Sequence, residues 1–292
     1  MRREALEMGR VRVFLEVLAS ALNEDFRFPF LEIIAFIHIV GFFIMVHLAT
    51  GGGPGGQPGL FFERIHLGEP EEVKVLILNG FAGLFNFALA SPIFGISILK
   101  NIAFSFGNDL DSGVVQHVLS YPLKRRLILT AKLLSSIGVP YMLMLGIQVF
   151  EVLVLVPAVV SQHIVFLLLV FVASLSFPFL VASLVLILTL RQKRGSRSLF
   201  IGIGLYFSAF ILMVLLVAIA GASSSDITLK MAAIMFPSIA LQLHYQSGWD
   251  PLILKLWPPS FTEACLYVAA GYALTFLILM TAYRYFDRRL EV

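Results

Sequence analysis

The chemistry open to this chain is set by a short inventory of six histidines, one cysteine and 18 carboxylates among 292 residues. His38 and His47 lie nine residues apart in one apolar run. At about 100° per helical residue they project to opposite faces and cannot grip one haem or metal between them. His66, His163 and His244 fall in loops or at their edges and read as ordinary hydrogen-bonded side chains. Cys265, alone, excludes an internal disulfide framework and any thiolate-rich metal site. No Gly-x-x-x-x-Gly-Lys-Ser/Thr occurs, which rules out a P-loop cradle for nucleotide phosphates. The glycine-rich residues 51–59 lack that lysine and read as a flexible turn. Asp109 and Asp111 beside Gly113 loosely resemble a carboxylate metal motif, but no further carboxylate follows to complete an oxygen shell. The expectation is a chain that is not itself an enzyme and binds no metal or cofactor of its own.

Ionisable groups inside apolar segments are the next candidates, because each costs about 2.5–3.5 kcal/mol at the centre of a membrane-spanning helix. Glu32 and Glu151 are the two carboxylates that fall within such segments, and neither is central. Glu151, with Gln148 one turn earlier on the same face, is the candidate lining of a substrate path. The alternative is that it packs against a polar group or reaches the interface. Asn79 and Asn86, seven apart, fit interhelical hydrogen bonding better than a site.

The elements that must position these groups follow from composition. The chain is 59% hydrophobic and 13% charged, with a mean hydropathy of +0.92. A soluble domain is about 25% charged, so a bilayer is the natural solvent here. The same figures exclude disorder, and a net charge of +3 spread over such a chain gives no footing for nucleic acid. A spanning helix needs about 20 apolar residues. Six runs qualify, at about residues 30–50, 75–106, 127–156, 164–190, 199–221 and 264–285. They are continuously apolar rather than alternating, which excludes barrel strands. The expected fold is therefore all-α and integral to the membrane, with six transmembrane helices. Residues 1–29 form a separate amphipathic unit and residues 30–292 one transmembrane domain.

Cations orient that domain. Placing residue 1 inside puts 17 of the 21 Lys and Arg on the same side, leaving Arg64, Lys74, Lys230 and Lys255 outside. Both termini are then cytoplasmic. Residues 4–24 carry Leu6, Phe14, Leu15, Leu18 and Leu22 against Glu7, Arg10, Arg12 and Glu16. That pattern predicts an interfacial helix ending at Pro29, and its mixed charges do not fit a cleavable signal peptide. Residues 222–262, outside, are partly apolar but broken by Pro237, Gly248, Pro251, Pro258 and Pro259. They predict two short interfacial or re-entrant helices, with Trp249 and Trp257 at headgroup depth.

The cytoplasmic loop at residues 107–126 is the most patterned stretch. Val114, Val115, Val118 and Leu119 form the stripe of a short amphipathic helix, with Asp111 and Ser112 where N-capping residues belong. Pro122 ends that helix, and Lys124, Arg125 and Arg126 anchor the next span at anionic headgroups. Topology alone accounts for the three cations; it does not account for an acidic cap, a glycine and an apolar stripe at this spacing.

These residues resemble the loop before the third span of the type-2 ATP-binding-cassette (ABC) permeases. That loop reads acidic-x-Gly-Thr, an amphipathic turn, Leu-x-x-Pro, a basic residue three positions on, and Gly-Lys ten residues after the proline. Asp111 takes the acidic position, Gly113 the glycine, Leu119 and Pro122 the Leu-x-x-Pro, Arg125 the basic position and Lys132 the lysine. Val114 stands where threonine is usual and Ala131 where glycine is. The resemblance implies a permease subunit of an exporter in the cell membrane, paired with a second copy or a paralogue. Two copies of a separate ATPase subunit would carry ATP and Mg2+. It also implies that Asp111, Gly113, Val114, Val118, Leu119, Pro122, Arg125 and Lys132 form the coupling interface with that ATPase. The scarcity of polar residues in the spans points to an apolar or amphipathic cargo. The competing expectation is a self-contained secondary transporter driven by an ion gradient, which predicts carboxylates near the midplane and often an internal repeat.

Overall fold

The computed structural model describes residues 2–26, 30–49, 91–115, 124–155, 157–223, 225–246, 257 and 259–288, all helices and the turns between them, with no strand among the described residues. Helix α1 is Arg2–Asp25 and α2 is Phe30–Ala49, within the first predicted span. Of the second predicted span, the end is described: α3 (Ser91–Lys100), a π-helical stretch (Asn101–Phe106) and α4 (Gly107–Asp111). The third is α5 (Arg125–Leu133), a second π-helical stretch (Leu134–Gly138) and α6 (Val139–Leu155). Then come α7 (Pro157–Gln192), α8 (Gly195–Ser223), α9 (Asp226–Met235), α10 (Ser238–Gln246) and α11 (Phe261–Arg288). Among the described residues, four helical stretches are long and apolar enough to cross a membrane: Arg125–Phe150, Leu168–Gln192, Gly195–Ser223 and Phe261–Arg288.

Helix α7 is the axis of the bundle, packed on α3, α6, α8, α10 and α11. Its apolar window is 72% buried, against 17% for α8 and 22% for α11. Small residues make this possible: Ala173, Ser174, Ser176, Ala182 and Ser183 are buried and let neighbouring backbones close in. Ser174 and Ser183 return their hydroxyls to the carbonyls of Phe171 and Phe179, so close packing strands no donor there. Across the bundle Tyr141 and Tyr272 meet at 2.8 Å, and Tyr272 donates to the Val172 carbonyl at 2.6 Å.

The closest crossing joins the first π-helical stretch to the start of α8. A Cβ on Gly195 would lie 2.1 Å from the Ala103 carbonyl oxygen, and one on Gly107 would lie 2.5 Å from the Gly195 Cα. Backbone meets backbone, so neither neighbour yields by rotating a side chain. Gly195→Ala is expected to cost at least about 1–3 kcal/mol, the usual range for overpacking. Gly204→Ala, mid-helix with open space around its Cβ, should instead raise the thermal midpoint in detergent slightly, by about 0.4–1 kcal/mol of stability.

Between α8 and α11 the described residues form two short helices, α9 and α10, separated at Phe236 and Pro237. Phe236 is buried against Phe177, with ring centroids 4.0 Å apart. Trp257, expected at headgroup depth, is enclosed by protein side chains. It is 5% exposed, packed against Tyr267 with the Lys230 ammonium 5.5 Å from its ring centroid. Its apolar body fills a second core formed by α7, α8, α9, α10 and α11. Trp249, residues 51–90 and residues 116–123 lie outside the described residues.

Candidate functional site

A cluster of charged and polar groups forms where α1 meets the two π-helical stretches. Helix α1 buries Val17, Ala21 and Asp25, spaced four apart along one face, and packs on α5 and the second π-helical stretch. This contact brings Glu24 and Asp25 onto residues at least 75 positions away. Lys132 of α5 donates to Glu24 Oε2 at 2.9 Å and also forms an ion pair with Asp109 of α4. Lys132 and Asp109 are each 7% exposed. Asp25 Oδ2 accepts the hydroxyls of Ser135 at 2.5 Å and Ser136 at 3.0 Å, and its carbonyl accepts Lys100 at 3.3 Å. Asn101 donates to the Ser136 carbonyl at 3.5 Å.

Both π-helical stretches contribute to this junction through Asn101, Ser135 and Ser136. Such wide turns recur at functional sites because they re-aim side chains within a helix. Burial of an ammonium is costly unless it is paired and hydrogen-bonded, and Lys132 meets both conditions. With every group ionised, three carboxylates (Glu24, Asp25, Asp109) face two lysines (Lys100, Lys132), a formal net charge of −1. Partial burial pushes the Glu24 carboxyl above its ordinary value against the opposing pull of Lys132, and the nearby Asp109 and Asp25 carboxylates add to the rise. A folded-state carboxyl with a raised pKa binds its proton more tightly than in the unfolded chain. Stability therefore falls as pH rises from the ordinary glutamate range through the raised folded value. Glu24→Gln is expected to flatten that part of a stability–pH profile measured in detergent, and an unchanged slope would remove Glu24 as its source.

The patterned loop departs from α4 beside this junction. Asp111 is the last residue of α4, and Ser112 closes the helix by donating both its N–H (2.8 Å) and its hydroxyl (2.7 Å) to the Asn108 carbonyl. Gly113 follows at φ +75°, the left-handed residue that commonly ends a helix. Ser112 thus closes the helix before the loop. Val114 and Val115 resume helical geometry. Val115 is buried in the main core, whereas Val114 is 42% exposed. Val114 borders a cavity of about 160 Å³ that also touches Val17, Ser20, Glu24, Asp109 and Lys132.

Of the residues singled out in the sequence, Asp111, Gly113 and Val114 therefore follow one another at the turn, Asp111 and Val114 exposed and Gly113 half-buried. Arg125 is exposed at the first turn of α5. Lys132 lies inside the junction, committed to α1 and α4 rather than offered to the surroundings. Val118, Leu119 and Pro122 lie outside the described residues. Gln148 is buried in α6, and Glu151 continues the same helix, its side chain outside the description. Asp109 is held by Lys132, and among the described residues no group of three or more His, Cys, Asp or Glu gathers as a metal would need. His244 donates Nδ1–H to the Pro259 carbonyl at 2.8 Å. The sequence pattern does not single out Glu24, Asp25 or the Ser135–Ser136 pair as a site. Their only signal is that they are polar residues at the edge of an apolar face.

No protein-family model matches the chain, and comparison with curated proteins finds no significant relative.

Proposed function

We propose that this chain is the membrane permease subunit of an ABC-type exporter, moved by ATP hydrolysis on a separate ATPase subunit. The observation that supports the reading is the charged junction. Lys132, Asp109 and Glu24 tie α1, the end of the second predicted span and the start of the third into one body, with Asp111 and Val114 exposed beside it. A push on the loop would then be transmitted to α1, α3 and α5 together rather than dissipated in a flexible connector. Switching between inward- and outward-facing states needs contacts that differ between them, and a rigid stub gripped by a partner supplies such contacts. Arg126 extends the same body to the last helix through its ion pair with Asp287 at 2.8 Å.

In this reading both termini face the cytoplasm of the cell membrane, and the permease works as a pair with a second copy or paralogue. Two ATPase subunits hold ATP and Mg2+, and the cargo, apolar or amphipathic, moves outward. The charges at the start of α5 fit the same picture. Lys124, Arg125 and Arg126 are exposed at a helix N-terminus, where the macrodipole disfavours cations by about 0.3–1 kcal/mol each. Asp287 offsets part of that cost at Arg126, and an anionic membrane or partner surface would add to that offset.

A second reading has its own observation. The Lys132–Asp109 pair is buried at the margin of an apolar stretch, as in an ion-coupled secondary transporter. Site-specific crosslinking separates the two. With Cys265→Ser in the background, Val114→Cys carrying a photoreactive group in native membranes should give an adduct with an ATPase subunit. Ile227→Cys, on exposed α9, should not. Absence of any adduct from position 114, or the same adduct from both positions, would remove the docking assignment.

A further inference from the structure

A second charged feature takes no part in the junction. Helices α7 and α11 run side by side, and near their ends they enclose an open cavity of about 490 Å³ lined by Ile187, Arg191, Thr281, Arg284, Tyr285 and Arg288. Among the described residues that line it, three of six are arginines and none is a carboxylate. Arg284 and Arg288, one turn apart on α11, are like charges at a spacing where they repel. Asp287, adjacent in sequence, is turned away to Arg126. The Arg191 guanidinium lies 6.0 Å from the centre of the Tyr285 ring, which holds it toward the cavity wall. The helix macrodipole favours a cation near the end of each helix separately; it does not gather three around one open space.

We infer that this cavity is a binding site for a phosphate group, supplied by the headgroup of an anionic phospholipid. The guanidinium fork matches phosphate oxygens in pairs and keeps its charge at any physiological pH. A single phosphate among the three arginines would turn their mutual repulsion into attraction. The lipid source follows from depth. Both helices are of membrane-crossing length and composition, and the cavity sits where their apolar runs give way to charge, with Ile187 at one side and the arginines at the other. That is the level of the headgroups, where each basic residue strengthens attachment to anionic lipid. Such a site is independent of the permease reading.

Native mass spectrometry of the full chain, equilibrated in detergent with equal amounts of phosphatidylglycerol and phosphatidylcholine, tests it. Phosphatidylglycerol should be retained preferentially. The triple substitution Arg191→Gln, Arg284→Gln, Arg288→Gln should weaken that retention on the order of a hundredfold, about fivefold per arginine. Arg12→Gln, a cation on the exposed face of α1, should leave it unchanged. If the triple variant fails to fold, Arg284→Lys with Arg288→Lys keeps the charge but removes the fork, and should give an intermediate loss. Retention of glycerol 3-phosphate without retention of the lipid would support the phosphate site and assign its source to soluble esters. Equal retention of the two lipids, or undiminished retention in the substituted chains, would overturn the proposal.

Discussion

Lys132→Ala is expected to destabilise the chain by about 3–5 kcal/mol, the usual cost of removing one partner from a buried ion pair. The loss comes chiefly from what remains. Asp109, 7% exposed, would keep a charge with its ammonium partner gone. Glu24, at 41% side-chain exposure, can turn to solvent and contributes less. In a chain of this size the shift in thermal midpoint would be on the order of 10 °C. Because α1 is held to α5 through Lys132, the substitution should also expose residues 2–25 to limited proteolysis before the bundle itself opens. Replacing both partners, Lys132→Met with Asp109→Leu, should recover most of the lost stability, since apolar side chains of similar volume often replace a buried pair at no net cost. If the double variant unfolds as early as the single one, the junction is not an isolated pair and the stranded Asp109 charge is not the main source of the loss.

The second large effect concerns the exposed loop. Gly113→Pro asks for φ near −65° where the chain stands at +75°. The turn after α4 must rearrange, and Val114 leaves its place beside the cavity. Asp111→Arg keeps the backbone and reverses a rim charge. Each substitution is expected to lower ATPase-subunit retention in pull-downs at least about tenfold, because like-charge contact or loss of register at an interface costs several kcal/mol. Membrane insertion and thermal unfolding should change little in Asp111→Arg. Gly113→Ala is the matched control. Its Cβ would meet nothing within 4 Å, so it bears only the left-handed backbone cost of about 1–2 kcal/mol. It should retain partner binding better than the proline. Normal retention in both Gly113→Pro and Asp111→Arg would place the coupling surface elsewhere.

What the amino-acid pattern reveals and what it hides have physical causes. Long apolar runs foretell helices at 127–156, 199–221 and 264–285, and helices stand there at 125–155, 195–223 and 261–288. Burial of a contiguous apolar run is a local property, readable without knowing its neighbours. Pro237 foretells a break, and two short helices meet there. The junction is hidden because it is made by distance. Glu24 and Lys132 are 108 positions apart and Asp25 and Ser136 are 111 apart, and no periodicity encodes such pairings. Lys132 illustrates the limit. Its place in the permease-like loop implies, by resemblance alone, a part in a coupling interface, and the fold pairs it with two carboxylates on other helices. The π-helical stretches are equally silent, since an added residue per turn leaves no mark on an apolar pattern already broken by Asn101, Ser135 and Ser136.

The most direct test of the permease reading uses the chain reconstituted in lipid vesicles, alone and with whatever subunit co-purifies from its native membrane. The chain alone is expected neither to hydrolyse ATP nor to move solute under a proton or sodium gradient. The complex should hydrolyse ATP, and Asp111→Arg should uncouple it. Full-rate transport by the lone chain, driven by an ion gradient, would contradict the permease reading.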